Sequence, residues 1–321
     1  FTPVFILIFA PGFYIDPAKK DLSIQVLRIM FPYLALISLV AFASGIQNTH
    51  QKFSIPAFTP VLFNVILIIA ASFIAPNYDM PILVLAWGVL LAGFVQVIIQ
   101  VSPLINIDKL PVPKLDFNNE GVKKFMSIIF PAIIAGGILQ INLLIDTIFA
   151  SLLETGSPTW LYISDRLIQF PMGIFAIAIG TVLLPTLSKY DLSTEKNNFI
   201  STIKKGQKFV LFIGIPSLIG LFYCAEDLIS TIFYRGAFTE VDVINSSYSL
   251  MAFSFGLPFF MLMKVLTPAF FSRKDTTTPM RVALISLFLN AALNYYLAFV
   301  LDLGHVGIAI GSSLAALVSV C

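Results

Sequence analysis

Long apolar stretches separated by short polar segments dominate the hydrophobic pattern of this 321-residue chain. Most of them run for about 17 to 28 residues, which is enough for an α-helix to cross roughly 30 Å of hydrocarbon. Strands of a membrane β-barrel would be about 10 residues long and would alternate apolar and polar positions. We therefore predict helical spans at 1–11 (the end of one span), 24–46, 57–75, 81–104, 125–152, 160–187, 208–224, 246–271, 280–301 and 305–321.

The composition agrees with an integral membrane protein. Hydrophobic residues make up 58% of the chain and charged residues 11%, whereas soluble domains carry about 25% charged residues. This excludes soluble enzymes, nucleic-acid-binding proteins and secreted disulfide-rich proteins, because the chain has too few charged residues to form a surface that faces water. Both ends of the sequence lie inside apolar runs, so we expect it to be a fragment of a longer protein.

Lysine and arginine are concentrated in alternate loops between the spans. Most of the 19 basic residues lie in the predicted loops at 47–56, 105–124, 188–208 and 272–281. The intervening loops are acidic and contain only Arg235 as a basic residue, apart from the segment at 12–23 with Lys19 and Lys20. Because basic loops stay in the cytoplasm, we predict that the four basic loops are cytoplasmic.

Similar segments recur at an offset of about 223 positions, as in transporters that are built from internal repeats. The segment 9–13 resembles 233–237, and the basic link at 50–52 resembles 273–275. Both copies run in the same direction relative to the charge pattern. We therefore predict an all-α membrane bundle of two pseudo-symmetric six-helix lobes. The fragment would hold the last four spans of the N-lobe (1–104, the first span only as a tail), a cytoplasmic linker (105–124) and nearly all of the C-lobe (125–321).

Asp146 is an ionisable residue inside a predicted span, where a charged side chain costs at least a few kcal/mol. Asn290 and Asn294 stand four positions apart in another span, so their amides project from one helix face. A carboxylate with amide oxygens offers hard ligands that suit a monovalent cation. Two alternatives stay open: an ion pair between Asp146 and Arg166, or hydrogen bonding of Asp146 to a neighbouring helix with no further role.

Arg166 follows Asp165 at a similar depth in the next span. A guanidinium that faces a cavity binds phosphate through two parallel hydrogen bonds. The alternative is that Arg166 extends to the outer interface while its stem stays among apolar side chains. Lys264 lies near the inner end of its span. We expect its side chain to extend to the cytoplasmic interface rather than to have a functional role.

The sequence gives no support for covalent catalysis. It contains no nucleophile–base pair, no phosphate-binding loop and no zinc-ligand spacing, and its two cysteines, Cys224 and Cys321, form no framework. We therefore predict that the chain is not an enzyme and uses no cofactor and no catalytic metal. A net charge of +2 gives no indication of a nucleic acid or another polyanion as a partner.

Four motifs resemble those of the lipid II flippase (MurJ, also called MviN) family. The most specific is SDRLIQFPMG at 164–173, which continues through Gly180 to LPTLS at 184–188. A second motif, KVLTPAFFSRKD at 264–275, is followed by Thr278 and Pro279. The matching parts of the N-lobe are RIMFPY at 28–33 and PAFTPVLFN at 56–64.

This resemblance implies a member of the multidrug/oligosaccharidyl-lipid/polysaccharide exporter superfamily. Such a protein has two six-helix lobes around a cationic cavity, with two further helices that form a lipid groove. It would move the undecaprenyl-pyrophosphate-linked peptidoglycan precursor, lipid II, to the outer leaflet of the bacterial cytoplasmic membrane by alternating access. The partners implied are lipid II, membrane lipids and the cell-wall synthesis machinery.

The resemblance also implies roles for particular residues. Arg166 matches an arginine of the family that lines the cavity, and it would hold the pyrophosphate. The sodium-site pattern of the family maps onto Asp146, Asn290, Asn294 and Val306, although the family often has a carboxylate where Asn294 stands. Transport would be driven by Na⁺ or by the membrane potential.

Three other functions compete with this interpretation. The first is a flippase for another polyprenyl-linked glycan, and the second is a cation-coupled multidrug exporter of the same superfamily. An exporter of cationic drugs should have acidic cavity residues and no cavity arginine, so Arg166 argues against it. The third is a scaffold that transports nothing and recruits cell-wall enzymes.

Overall fold

The computed structural model describes residues 2–106, 120–190, 194–275 and 277–321. These residues are nearly all helical and contain no β-strand, which confirms the all-α prediction. The chain divides into two compact units, Phe1–Lys123 and Lys124–Cys321. Residues 107–119 of the predicted linker, including Lys109 and Lys114, lie outside the described residues.

The first unit is built around a long helix near its C-terminal end. Its helices are α1 (Thr2–Phe9), α2 (Pro11–Ile15), α3 (Pro17–Met30), α4 (Tyr33–Thr49), α5 (Ser54–Ile69) and α6 (Pro81–Asn106). Helix α6 packs against α3, α4 and α5. A buried hydrogen-bonded cluster joins three of these helices: Gln100 of α6 donates from Nε2 to Thr59 Oγ1 of α5 over 2.8 Å, and Gln47 of α4 donates from Nε2 to the backbone oxygen of Gln100 over 3.1 Å.

The second unit has a central helix surrounded by most of the others. The helices that follow α6 are α7 (Glu120–Leu152), α8 (Ser157–Pro171), α9 (Ala178–Leu187), α10 (Lys196–Tyr223), α11 (Ala225–Phe233), α12 (Glu240–Ser272), α13 (Thr277–Tyr295) and α14 (Gly304–Val320). Helix α12 packs against α8, α9, α10, α11 and α14, and its side chains Leu250, Leu257, Met261 and Val265 are completely buried.

The chain is a multi-pass membrane protein. Seven helical runs in the described residues are long and apolar enough to cross a bilayer: Pro17–Thr49, Ser54–Asn77, Pro81–Ile105, Ser157–Leu187, Lys196–Tyr223, Glu240–Ser272 and Thr277–Val300. Each contains or coincides closely with one of the predicted spans. The predicted spans at 125–152 and 305–321 correspond to α7 and α14, which contribute the shorter apolar helices Gln140–Leu152 and Gly304–Val320.

Three of the segments predicted between spans prove to be largely helical. Helix α10 begins at Lys196, well before the predicted start of its span at 208, and Lys204, Lys205 and Lys208 are therefore helical. Charged residues mark where the hydrocarbon ends, but a helix satisfies its own backbone hydrogen bonds and continues into water. The segment between the predicted spans 208–224 and 246–271 likewise contains α11 and the beginning of α12, and the segment 12–23 belongs almost entirely to α2 and α3.

Breaks between helices recur at the offset that the sequence repeat predicts. Gln51 precedes α5 with a φ of 57°, and Lys274 precedes α13 with a φ of 59°. A π-helical turn follows each of these helices, at Ala70–Ile74 and at Tyr296–Val300. The next α-helices, α6 and α14, then begin at Pro81 and Gly304, at the offset of the repeat.

Side-chain caps fix where two helices of the second unit begin. Asp242 of α12 accepts a 2.8 Å hydrogen bond from the backbone N–H of Thr239, and its other oxygen accepts one of 2.7 Å from Trp160 Nε1 of α8. Before α13, Asp275 accepts hydrogen bonds from the backbone N–H groups of Thr277 and Thr278 over 3.1 and 3.0 Å. The bonds from Thr278 and Thr277 hold the pKa of the Asp275 carboxyl below its usual value, because they stabilise the charged form.

Glycines allow backbones to approach closely along α14. A Cβ added at Gly307 would lie 2.7 Å from the backbone nitrogen of Ala298 and 2.8 Å from the backbone oxygen of Leu297. Backbone atoms cannot move aside as the end of a side chain can. In contrast, a Cβ added at Gly220 of α10 would meet nothing within 4 Å.

We therefore predict that Gly307→Ala destabilises the protein, because α14 must move away from the π-helical turn that follows α13. Overpacking of this kind costs about 1–3 kcal/mol, so the apparent Tm of the full-length protein in detergent should fall. The matched control Gly220→Ala should leave the Tm unchanged or raise it, since alanine favours the helix by about 1 kcal/mol. Equal Tm values for the two variants would contradict the prediction.

Candidate functional site

A buried polar cluster in the second unit contains three of the four residues predicted for a cation site. Asn294 donates from Nδ2 to Asp146 Oδ1 over 2.6 Å and to Asn290 Oδ1 over 3.0 Å. Asn290 in turn donates from Nδ2 to Ser312 Oγ over 3.0 Å. The side chains of Asn290 and Asn294 are buried, so the cluster joins α7, α13 and α14 within the apolar bundle.

Local sequence explains how these residues meet. Asn290 and Asn294 are one turn apart on α13 and share a face. Gly311 of α14 lies directly against Asn294, and a Cβ there would clash with the Asn294 amide oxygen. Glycine at this position therefore lets α14 come close enough for Ser312 to contact Asn290.

The cluster retains acceptor oxygens that no described residue satisfies. Oδ1 of Asn294 is buried, as is Oδ1 of Asn142 on α7, and neither has a hydrogen-bond partner. A buried acceptor without a donor is costly. A carboxylate and an amide oxygen are the type of ligand that a hard cation such as Na⁺ takes, so the donor set fits such an ion.

Val306, the fourth residue predicted for the cation site, has a different environment. Its side chain packs against an apolar cluster. The members of that cluster are Ala150, Leu161, Ala252, Ala298, Ile308 and Ala309. Val306 also lines an apolar groove of about 890 Å³ between α10, α12 and α14. Val306 takes no part in the hydrogen bonds among Asp146, Asn290, Asn294 and Ser312.

Arg166 lies on an exposed face of α8. The helix starts after Gly156, whose φ of 112° belongs to the left-handed region that glycine tolerates. The guanidinium carbon of Arg166 lies 4.7 Å from the centroid of the Tyr162 ring, one turn earlier. The neighbouring carboxylate, Asp165, instead accepts a 2.6 Å hydrogen bond from Gln169 Nε2.

The alternative ion pair between Asp146 and Arg166 is not formed in this structure. Within the described ranges, the nitrogen atoms of Arg166 have no carboxylate oxygen within 4.0 Å. Asp146 is bound by Asn294 instead. The two residues therefore belong to separate arrangements: an acid that accepts from the Asn294 amide, and a cation over an aromatic ring.

Sequence reasoning did not identify three residues that contact the predicted ones. Tyr162 and Gln169 contact Arg166 and Asp165 respectively, and both pairs are four positions apart. The spacing of neighbours on a helix surface could have indicated them. Ser312 contacts Asn290 across two helices, and nothing in the local sequence indicates that contact.

Comparisons with known proteins identify the family of this chain. The family model "Lipid II flippase MurJ" matches residues 1–321. The probable lipid II flippase MurJ of Vibrio cholerae is 42% identical over 316 residues, which cover 96% of this chain and 60% of that protein. The lipid II flippase MurJ of Burkholderia cenocepacia is 35% identical over 311 residues, with 96% of this chain and 60% of that protein covered. The chain thus spans about 60% of the length of these curated relatives.

Two solved structures have the same fold. A lipid II flippase MurJ in an inward closed conformation superposes with a TM-score of 0.83 and 29% identity, covering 99% of this chain and 65% of that one. An inward-facing multidrug resistance MATE family transporter of the MOP superfamily gives a TM-score of 0.75 at 12% identity, covering 99% of this chain and 74% of that one. The second likeness concerns the fold alone. The match of the family model along the whole chain, together with these close relatives, shows that the chain belongs to the lipid II flippase MurJ family.

Proposed function

We propose that the full-length protein moves lipid II from the inner to the outer leaflet of the bacterial cytoplasmic membrane by alternating access. The observation that carries this proposal is the family match over residues 1–321, with relatives that are named lipid II flippases. In this role the protein is a transporter and not an enzyme. Its partners are lipid II and the surrounding lipids, with the cell-wall synthesis machinery as the user of the product.

Arg166 is the residue that we assign to the substrate. Lipid II combines a pyrophosphate headgroup with an isoprenoid tail, so its carrier needs a cationic group for the headgroup while the tail stays in lipid. The guanidinium of Arg166 is exposed and unpaired with any described carboxylate. Its N–H groups match two phosphate oxygens at once.

Asp146, Asn290, Asn294 and Val306 are the residues that we assign to Na⁺, the first three through side-chain oxygens. The unsatisfied Asn294 oxygen beside the Asp146 carboxylate supports this assignment. Bound Na⁺ would supply the positive charge that a carboxylate inside the membrane lacks. Coupling of transport to a cation gradient or to the membrane potential follows from that charge.

The first test asks which substrate the protein carries. When the full-length protein is depleted in its own bacterium, lipid II should accumulate and become inaccessible to a lipid II-cleaving enzyme added outside the cells. Restoring the protein should restore cleavage. Unchanged cleavage after depletion would contradict lipid II as the substrate and favour another polyprenyl-linked glycan.

The second test concerns Arg166. Arg166→Ala in the full-length protein should weaken lipid II binding roughly 10- to 100-fold, the expected loss for a charged hydrogen-bonded contact. Arg166→Lys should recover only part of the affinity, because a single ammonium does not bind two oxygens in the same geometry. The control is Arg235→Ala, which removes an exposed arginine elsewhere in the unit. Normal binding and flipping by Arg166→Ala would exclude the pyrophosphate role.

The third test concerns the cation. Na⁺ should raise the Tm of the purified full-length protein relative to choline at equal ionic strength, by an amount that corresponds to about 2.7 kcal/mol at a hundredfold excess over Kd. Asp146→Asn should abolish this difference, since it removes the charge and keeps the shape. Asp302→Asn, at an exposed position, is the matched control and should retain it. A Na⁺-dependent shift that survives Asp146→Asn would exclude the site.

A further inference from the structure

Tyr162 and Arg166 form a stacked pair on the exposed side of α8. Tyr162 is 58% exposed, so the pair is not enclosed by other helices of the unit. Side chains on a helix lean towards its N-terminus and cover the preceding turn, so an arginine four residues after a tyrosine naturally lies over the ring. The distance of 4.7 Å from the guanidinium carbon to the ring centroid is typical of a cation–π contact.

This arrangement holds the guanidinium without using its hydrogen bonds. The ring attracts the cation through the charge of its face and carries no carboxylate, whereas a carboxylate would occupy the N–H edge that a phosphate needs. Asp165, which precedes Arg166, and Asp146, which the sequence offers as an ion-pair partner, are both engaged elsewhere. Asp165 accepts from Gln169, and Asp146 accepts from Asn294, each over 2.6 Å.

We propose that Tyr162 is a positioning residue for the pyrophosphate group of the lipid-linked substrate, and that it acts by orienting the Arg166 guanidinium with its N–H edge free. This inference rests on the proposed role of Arg166. Without the ring, the long arginine side chain would distribute over several rotamers, and binding would have to restrict them again. The ring provides that restriction before the substrate arrives.

The test compares two substitutions in the full-length protein, with lipid II as the probe and its Kd as the readout. Tyr162→Phe keeps the ring and should change the Kd less than twofold. Tyr162→Leu keeps an apolar side chain but removes the ring, and it should weaken binding about 3- to 30-fold, as expected for loss of a cation–π contact. The control Tyr223→Leu makes the same change at a tyrosine that is 78% exposed at the end of α10, and it should have no effect.

A second set of variants separates positioning from a structural role. In an Arg166→Ala background, Tyr162→Leu should cause no further loss, because the ring then has no guanidinium to orient. An equal loss in both backgrounds would overturn the proposal, since the ring would then act independently of Arg166. Replacing residue 162 with pentafluorophenylalanine keeps the shape of Phe and reverses the charge of the ring face, so binding should weaken relative to Tyr162→Phe. Equal binding by these two forms would also overturn it, and this comparison stands even if Tyr162→Leu folds poorly.

The outcomes also distinguish this inference from the proposed function. If Arg166→Ala binds lipid II normally, the role of Arg166 is wrong and the role of Tyr162 falls with it. If Arg166→Ala weakens binding while Tyr162→Leu does not, only the positioning role is wrong.

Discussion

A polar group inside hydrocarbon must find its hydrogen-bond partner within the protein, because the bilayer offers none. This constraint makes the chain helical, and it also determines which side chains join the helices. In the first unit, buried Gln100 bonds to residues of both α4 and α5. In the second unit, Asn294 bonds to Asp146 of α7, and Asn290 bonds to Ser312 of α14. Apolar contacts with lipid and with other helices differ little in free energy, so such polar contacts give each bundle a specific arrangement.

The same constraint explains why small residues accompany the polar ones. A short amide side chain reaches another helix only when the backbones come close together. Gly311 provides this approach beside Asn294, and Gly307 provides it one turn earlier against the π-helical turn that follows α13. The polar contacts between α13 and α14 therefore depend on the glycines of α14, because the short amide side chains could not reach across a wider gap between the helices.

The sequence predicted the helices well, because a span needs a long apolar run and that run is visible in composition alone. It failed at Lys196 and at α11, where a helix continues through charged residues or lies outside the hydrocarbon. Within the site, the shared face of Asn290 and Asn294 follows from their spacing. The contact between Asn294 and Asp146 joins residues 148 positions apart, so no local spacing indicates it; the match between a carboxylate and amide oxygens and the resemblance to a family did. The environment of Val306 depends on packing among several helices, which spacing does not encode.

Asp146 and Arg166 of the second unit have opposite environments, and this difference bears on function. Asp146 is bound by an amide in a buried cluster, whereas Arg166 is exposed and rests on Tyr162. An ion pair between them would satisfy both charges, but it would leave neither free for a ligand and would cost desolvation of both partners. By keeping the two charges apart, the fold leaves a carboxylate that suits a cation and a guanidinium that suits a phosphate.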